Sequence, residues 1–147
     1  MQVANNRITF TLNELVHHLN SHADAILRAR FELTFSQYLF LLSLRDESKS
    51  LTEAAQWQGV SVAAISKRIA WFEERNLISS SADPNHGRKL SLSLTAKGRS
   101  LVDKSSEFME EAFQHLFKGM SEINLSDLNK KLNLIITHLE NKPKESK

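Results

Sequence analysis

The chain has 147 residues, of which 41% are hydrophobic and 24% charged, with four Gly, two Pro and no Cys. This length suits one domain, or one core with appended helices, and the composition excludes a disordered polymer, a collagen-like repeat and a disulfide-bonded miniprotein. Without cysteine the chain can form neither a thiolate zinc site nor a thiol redox switch. The longest apolar run, Tyr38–Leu42, is too short for a membrane span, and no signal segment opens the chain. We therefore expect a cytoplasmic protein with no membrane partner.

The net charge of +2 is unevenly distributed along the chain. Residues 1–50 hold five basic and five acidic side chains, residues 51–100 hold seven and four, and residues 101–147 hold seven and eight. The positive excess therefore lies in the middle third, where it would attract a polyanion such as nucleic acid.

Apolar residues at helical spacing predict a first helix from about Thr11 to Arg30, with Thr11 or Asn13 as its N-cap. A second, shorter helix is predicted from Ser36 to Arg45, with Ser36 as its cap. The polar run that follows predicts a loop.

Two further helices are predicted close together in the middle third. Ser50 and Glu53 form a capping-box signature that begins a short helix, and Gly59 is its expected end. Ser61 caps the next helix, which ends where Asn76 can adopt a left-handed conformation. Such a short turn forces the two helices to cross at a steep angle.

A β-hairpin is predicted after this pair. The segment Leu77–Ala82 has the length of a strand, Asp83–Gly87 has turn chemistry throughout, and Leu90–Leu94 alternates leucine with serine. A short helix, a tight turn, a second helix and a hairpin are the elements of a winged helix-turn-helix, although a compact helical core with a solvated basic face also fits the helix spacing alone.

The C-terminal third predicts two apolar helices. The longer runs from a Thr95 cap to about Lys118, with Gly119 as its stop, and the last begins at Ser126. These two helices and the first helix carry more apolar side chains than a lone monomer requires for its core. We therefore expect them to form a helical interface shared by two chains.

A winged helix-turn-helix would place the second helix of the pair in the major groove of duplex DNA. Small side chains near its start would let it approach the base edges, while hydroxyl and cationic groups would donate to bases or phosphates. The basic hairpin tip would reach a neighbouring minor groove. The predicted DNA-binding residues are Ser61, Ala63, Ala64, Ser66, Lys67, Arg68 and Trp71 on the helix, and His86, Arg88 and Lys89 on the tip.

Five short segments of the chain together match the pattern of a known family: Leu51-Thr52-Glu53-Ala54-Ala55, Gly59-Val60-Ser61, Leu77-Ile78, Asp83-Pro84-Asn85 with Arg88, and Leu94-Thr95-Ala96-Lys97-Gly98. In these residues the chain resembles the MarR family of winged helix-turn-helix transcriptional regulators. The resemblance covers nearly the whole chain and implies a homodimer on a palindromic operator, usually repressing and often released by a small ligand.

The chain also departs from the family pattern. His86 and Gly87 replace the usual acidic and basic residues of the wing, and Trp71 replaces a common basic residue. Ala54 and Gln58 stand where leucines are usual, which leaves Trp57 as a substitute core residue. The operator sequence of a relative is therefore not transferable.

Other candidate sites are weaker. A ligand pocket is plausible where the first, second and fifth helices meet, with His22, Ile26, Tyr38, Leu42 and Phe108 as its lining, although we favour these five as plain core.

Glu14, His18 and His22 share one helical face and could hold a metal, but no fourth ligand is evident, and a solvated polar stripe is the simpler interpretation. Neither a phosphate-binding glycine loop nor a nucleophile elbow is present, so we expect neither an enzyme nor a cofactor.

The predicted fold is mainly α with a small β-hairpin wing. Residues 1–33 form an N-terminal dimerisation helix, residues 34–94 the winged helix-turn-helix lobe, and residues 95–147 the C-terminal dimerisation helices. The expected function is that of a DNA-binding regulator of transcription whose partners are double-stranded DNA, a second copy and a small-molecule effector. The alternative is a winged-helix adaptor or metal-responsive protein that binds a protein or metal instead of DNA.

Overall fold

The structure is a computed structural model that describes residues 2–82 and 90–143. In this part of the chain, helices dominate and three short strands form one antiparallel sheet. In chain order, the elements are α1 (Gln2–Phe31), α2 (Phe35–Ser43), β1 (Lys49–Ser50), α3 (Leu51–Gln58), α4 (Val62–Glu74), β2 (Ile78–Ala82), β3 (Leu90–Leu94), α5 (Ala96–Leu116) and α6 (Leu125–Glu140). The predicted fold class is confirmed.

The first helix is longer than its hydrophobic pattern predicts. It begins at Gln2, so that neither Thr11 nor Asn13 is a cap, and the Asn13 side chain donates to the backbone carbonyl of Thr9 inside the helix at 2.9 Å. No glycine or proline occurs among residues 2–10, so no strong helix breaker stands before the first predicted residue. Beyond its last residue, Glu32 has φ of 56°.

The start of α2 is set by Thr34, where we predicted Ser36. The Thr34 hydroxyl accepts from the backbone N–H of Gln37, and the Gln37 side chain accepts from the backbone N–H of Thr34, which completes a capping box. The Asp24 carboxylate of α1 accepts from the backbone N–H of Phe35 at 2.6 Å. A charged acceptor at a helix N-terminus is favourable, and this contact ties α1 to α2.

The predicted ends of α3 and α4 are confirmed. The hydroxyls of Ser50 and Ser61 accept from the backbone N–H groups of Glu53 and Ala64, each at 3.1 Å. Gly59 ends α3 with φ of 66°, and Asn76 has φ of 56° just beyond α4.

The hairpin is part of a three-stranded sheet of order β1-β3-β2. Strand β2 pairs with β3 in a register that sets Ile78 opposite Leu94 and Ala82 opposite Leu90. The sequence did not predict β1, in which Lys49 and Ser50 pair with Leu92 and Ser91. A two-residue strand is too short to show a periodic pattern in the sequence, and only pairing with the distant β3 makes these residues a strand.

Aromatic and aliphatic side chains from α1 to α5 form one core. The rings of Phe40 on α2 and Phe72 on α4 have centroids 5.4 Å apart. Trp57 is not the core substitute that we expected, since its side chain is 48% exposed and small Ala54 is fully buried. The largest fully buried side chains are Phe40, Phe72, Leu27, Leu33, Leu41, Ile65, Leu92 and Val102.

The segment that begins α5 docks against the end of α4. The Thr95 hydroxyl donates to the carbonyl of Asn76 at 2.6 Å and accepts from the backbone N–H of Gly98 at 2.9 Å. The backbone N–H of Thr95 donates to Leu77, and the Lys97 ammonium donates to the carbonyl of Arg75. The Leu94–Gly98 motif therefore fixes where α5 leaves the sheet.

The chain divides into two compact units, Met1–Glu110 and Glu111–Lys147. The second unit contains α6, which begins at Leu125 after an Asn124 cap, one residue before the predicted start at Ser126. The Asn124 side chain accepts from the backbone N–H of Asp127 at 3.0 Å. No residue of α6 is buried. Its apolar stripe, which lies on one face at helical spacing, consists of Leu125, Leu128, Leu132, Ile135, Ile136 and Leu139.

Candidate nucleic-acid interface

The turn between α3 and α4 has a well-defined backbone. Gly59, in the left-handed conformation, donates from its N–H to the carbonyl of Gln56, and the N–H of Val60 donates to Ala55 at 3.0 Å. These bonds satisfy two carbonyl groups in the last turn of α3, and Ser61 then caps α4 directly. The two helices are thus joined by three residues, as a helix-turn-helix requires.

Helix α4 has a buried face and an open face. Ile65, Ile69 and Phe72 are buried against the core. Of the seven helix residues predicted to contact DNA, Ala64 and Trp71 are half-buried. The other five are exposed: Ser61, Ala63, Ser66, Lys67 and Arg68. The small and cationic side chains therefore occupy one solvent-facing surface, which we call the α4 face and define by these five residues.

Arg68 is held by a side chain from the other helix of the pair. Its Nη1 donates to the side-chain oxygen Oε1 of Gln58, the last residue of α3. The sequence marked Gln58 only as a weak core residue, because a hydrogen bond across the turn depends on the crossing of two helices and leaves no local pattern.

Trp71 lies beside Arg75 rather than free in solvent. The Arg75 guanidinium carbon is 3.7 Å from the centroid of the indole ring, and Arg75 also donates to the backbone carbonyl of Trp71 at 3.1 Å. A guanidinium stacked on an indole is an attractive arrangement, and it orients both groups.

Of the two strands of the predicted wing, β2 lies next to α4, and β3 pairs with β2 on the side towards β1. Serine side chains face out from the sheet, and Ser79 and Ser93 lie within hydrogen-bond distance of each other at 3.3 Å. The three predicted tip contacts, His86, Arg88 and Lys89, lie outside the described residues, and their roles stay predictions.

Two neighbouring cavities open beside the α4 face. The larger, of about 520 Å³, lies among α1, α2, α3 and α4, and Asp24, Phe35 and Trp57 are among its lining residues. The smaller, of about 400 Å³, is bordered by Lys67, Trp71 and Phe72 among others. Four residues line both cavities: Thr34, Ser36, Gln58 and Arg68.

The five residues predicted for a ligand pocket have other surroundings, and none of them lines either of these cavities. The Tyr38 hydroxyl donates to Ser106 at 3.2 Å, while the Phe108 ring packs edge-on against Phe31 and beneath the Arg30 guanidinium. Ile26 and Leu42 are half-buried, and His22 is exposed.

The three residues weighed as metal ligands, Glu14, His18 and His22, are all exposed on α1. Over residues 2–82 and 90–143, no three histidine, aspartate or glutamate side chains gather in an arrangement that could hold a metal ion. The same part of the chain contains no helix with the length and hydropathy needed to cross a membrane.

The comparison with known proteins identifies the fold. The chain is 28% identical over 102 residues to the HTH-type transcriptional repressor IacR of Pseudomonas putida, in an alignment that covers 69% of this chain and 60% of that relative. The chain thus spans less than two thirds of the length of the curated relative that it matches. No protein-family model matches the chain.

Solved structures match over almost the whole chain. The transcriptional regulator BldR of Sulfolobus solfataricus has a TM-score of 0.81 at 18% identity, covering 92% of this chain and 96% of that one. A MarR-family transcriptional regulator of Rhodococcus sp. RHA1 has a TM-score of 0.78 at 20% identity, covering 89% and 93%. The repressor CouR bound to a 23-mer DNA duplex has a TM-score of 0.75 at 20% identity, covering 92% and 94%. The fold is therefore that of the MarR-family winged-helix regulators, and the resemblance seen in the sequence is confirmed at this level.

Proposed function

We propose that the protein is a regulator of transcription that binds duplex DNA through the α4 face, without enzymatic activity. The observation that carries the proposal is the exposure of this face on the second helix of a helix-turn-helix, beside an antiparallel hairpin. A helix in this position has the dimensions to enter the major groove. The likeness to CouR, which was solved on a DNA duplex, supports the same use of the fold.

The chemistry of the α4 face suits the two tasks of such a helix. Ala63 and the hydroxyls of Ser61 and Ser66 add little bulk near the helix start, so the backbone can come close to the base edges. Lys67 and Arg68 directly follow Ser66 and can donate to phosphates or to guanine. In this proposal Arg88 and its neighbours His86 and Lys89 add contacts from the wing.

We further propose that the protein acts as a homodimer on a palindromic operator. The single chain leaves large apolar side chains exposed both on α1, where Leu15 and Val16 are exposed, and on the stripe of α6. Apolar surface of this extent is typical of an interface. A two-fold axis through such an interface would set two α4 helices about 34 Å apart, one turn of DNA.

Repression and release by a small ligand complete the proposal. Repression is supported by the likeness to the repressor IacR. The two cavities that border Arg68 offer space for a ligand next to the α4 face, in addition to the plausible pocket that the sequence suggests around Tyr38 and Phe108. A ligand at either place would act on the position of α4.

Selection of bound sequences from a random duplex pool tests the proposal. We expect an enriched palindrome whose half-sites are centred about 10 base pairs apart, or a multiple of that distance. Binding to the enriched duplex should fall steeply with salt, because released counterions drive it. Failure to bind duplex DNA even at low salt would refute the proposal and favour an adaptor that uses the fold for a protein partner.

A further inference from the structure

The geometry points to Gln58 as a positioning residue that sets the direction of Arg68 for base reading. This inference rests on the proposed function and deepens it, because it separates the residue that touches DNA from the residue that aims it. The observation is the hydrogen bond from Arg68 Nη1 to Gln58 Oε1, which crosses from α4 to α3.

The Gln58 end of this bond is anchored. Gln58 is the last residue of α3 and is half-buried, and the left-handed Gly59 with its hydrogen bond to Gln56 fixes the direction of the final turn. The N–H of Val60 donates to Ala55 and holds the same turn from the other side. The acceptor oxygen is therefore presented at a defined place relative to α4.

The Arg68 end needs such an anchor. Its side chain is exposed, and a long exposed arginine samples many rotamers that it must give up when it binds. A guanidinium carries five N–H donors in a rigid plane, so one bond to Gln58 orients the plane and leaves the other donors available. Bidentate contact with the O6 and N7 atoms of guanine requires such an oriented plane.

The inference predicts a specific pattern of effects. Contacts with phosphates tolerate a mobile cation, whereas contacts with base edges depend on direction. Loss of the Gln58 acceptor should therefore reduce binding to the preferred sequence and leave binding to unrelated duplex almost unchanged. Loss of Arg68 itself should weaken both, because its charge is lost as well.

The test compares two duplexes, the one enriched from a random pool by the wild-type protein and a scrambled one of equal length and composition, at one fixed salt concentration. For Gln58→Ala we expect a loss of about 3- to 10-fold on the enriched duplex, the size of one hydrogen bond, and a change of less than about twofold on the scrambled duplex. The double variant Gln58→Ala/Arg68→Ala should bind no more weakly than Arg68→Ala. Gln56→Ala, an exposed glutamine on the same helix, is the matched control and should behave as wild type.

A second pair of variants guards against misfolding. Gln58→Leu keeps the bulk of the side chain without an acceptor, whereas Gln58→Glu keeps an acceptor for the guanidinium. The ratio of affinity for the enriched duplex to affinity for the scrambled duplex should fall in Gln58→Leu and be retained in Gln58→Glu. Thermal unfolding should show that all variants are folded. Equal ratios for the two variants, or multiplicative effects of the Gln58 and Arg68 substitutions, would overturn the inference.

The outcomes also separate the two proposals. If the wild-type protein binds both duplexes equally or enriches no sequence, the proposed function fails and the inference falls with it. If the wild-type protein is selective and Gln58→Ala leaves that selectivity unchanged, the inference alone is overturned.

Discussion

The backbone carbonyl oxygen of Leu77 lies 2.0 Å from the point where a Cβ atom on Gly98 would stand. Gly98 is buried on the first turn of α5, and its neighbour Leu77 is part of the chain that joins α4 to β2. A backbone oxygen cannot move aside as a flexible side chain can, so this position requires glycine. The contact gives a physical role to Gly98, one of the residues that carry the family resemblance.

We therefore predict that Gly98→Ala lowers the free energy of unfolding by about 2–3 kcal/mol, because the added methyl group forces α5 away from the sheet. Ser100→Ala on the exposed side of the same helix should change it by less than about 0.5 kcal/mol. Urea unfolding followed by circular dichroism measures both. Equal stabilities for the two variants would contradict the close approach of Leu77.

Thr95 should prove a second stabilising residue of this junction. Thr95→Val keeps the shape of the side chain but removes one donor to Asn76 and one acceptor for the N–H of Gly98, so we expect a loss of about 1–2 kcal/mol in unfolding free energy. Thr95→Ser retains both bonds and should keep most of the stability. A valine variant as stable as wild type would show that neither hydrogen bond contributes.

Lys67 should contribute to DNA affinity through phosphate contact. Lys67→Ala is expected to weaken binding to all duplexes by a similar factor and to reduce the slope of log K against log salt by about one. Lys104→Ala, an exposed lysine of α5 outside the helix-turn-helix, is the control and should leave the slope unchanged. DNA titrations at several salt concentrations measure the slope. Equal slopes for wild type and Lys67→Ala would argue against the α4 face as the phosphate-binding surface.

The wing arginine is tested in the same assay. If Arg88 enters a minor groove, Arg88→Ala should weaken binding by about 1–3 kcal/mol at fixed moderate salt. Arg7 is an exposed arginine of α1 and supplies the control. Arg7→Ala should have little effect on DNA affinity. Unchanged affinity for Arg88→Ala would remove the wing from the proposed interface.

The proposed dimer interface has an internal control within α6. Ile136 is 52% exposed and lies on the apolar stripe, whereas Leu134 is 71% exposed and lies two residues away, about 200° around the helix. Ile136→Glu should therefore halve the mass measured by light scattering, and Leu134→Glu should leave it at the dimer value. If neither substitution changes the mass of a dimeric protein, α6 is not in the interface.

Local signals in the sequence predicted most of the middle third. Ser50, Ser61, Gly59 and Asn76 act at the places that their chemistry indicates, because a cap or a left-handed residue depends only on its immediate neighbours. The predicted start of α2 is wrong because two residues there, Thr34 and Ser36, are both good caps. Only Thr34 has a glutamine three residues later, which completes the capping box and decides the start of the helix.

Features that depend on distant parts of the chain escaped prediction. Strand β1 exists only through β3, and the bond between Gln58 and Arg68 exists only through the crossing of α3 and α4. The two cavities have the same origin, because their linings combine residues of several helices. Patterns within one segment carry no information about such pairings.

Ser50 belongs to two elements at once. Its backbone ends β1 and pairs with Ser91 on β3, while its hydroxyl caps α3 through Glu53. No linker separates the sheet from the helix-turn-helix at this point, so a tilt of the hairpin is passed straight to the first helix of the pair. The hairpin and the helix pair α3–α4 should thus move together, so that in the proposed complex a displacement of the wing would also shift α4.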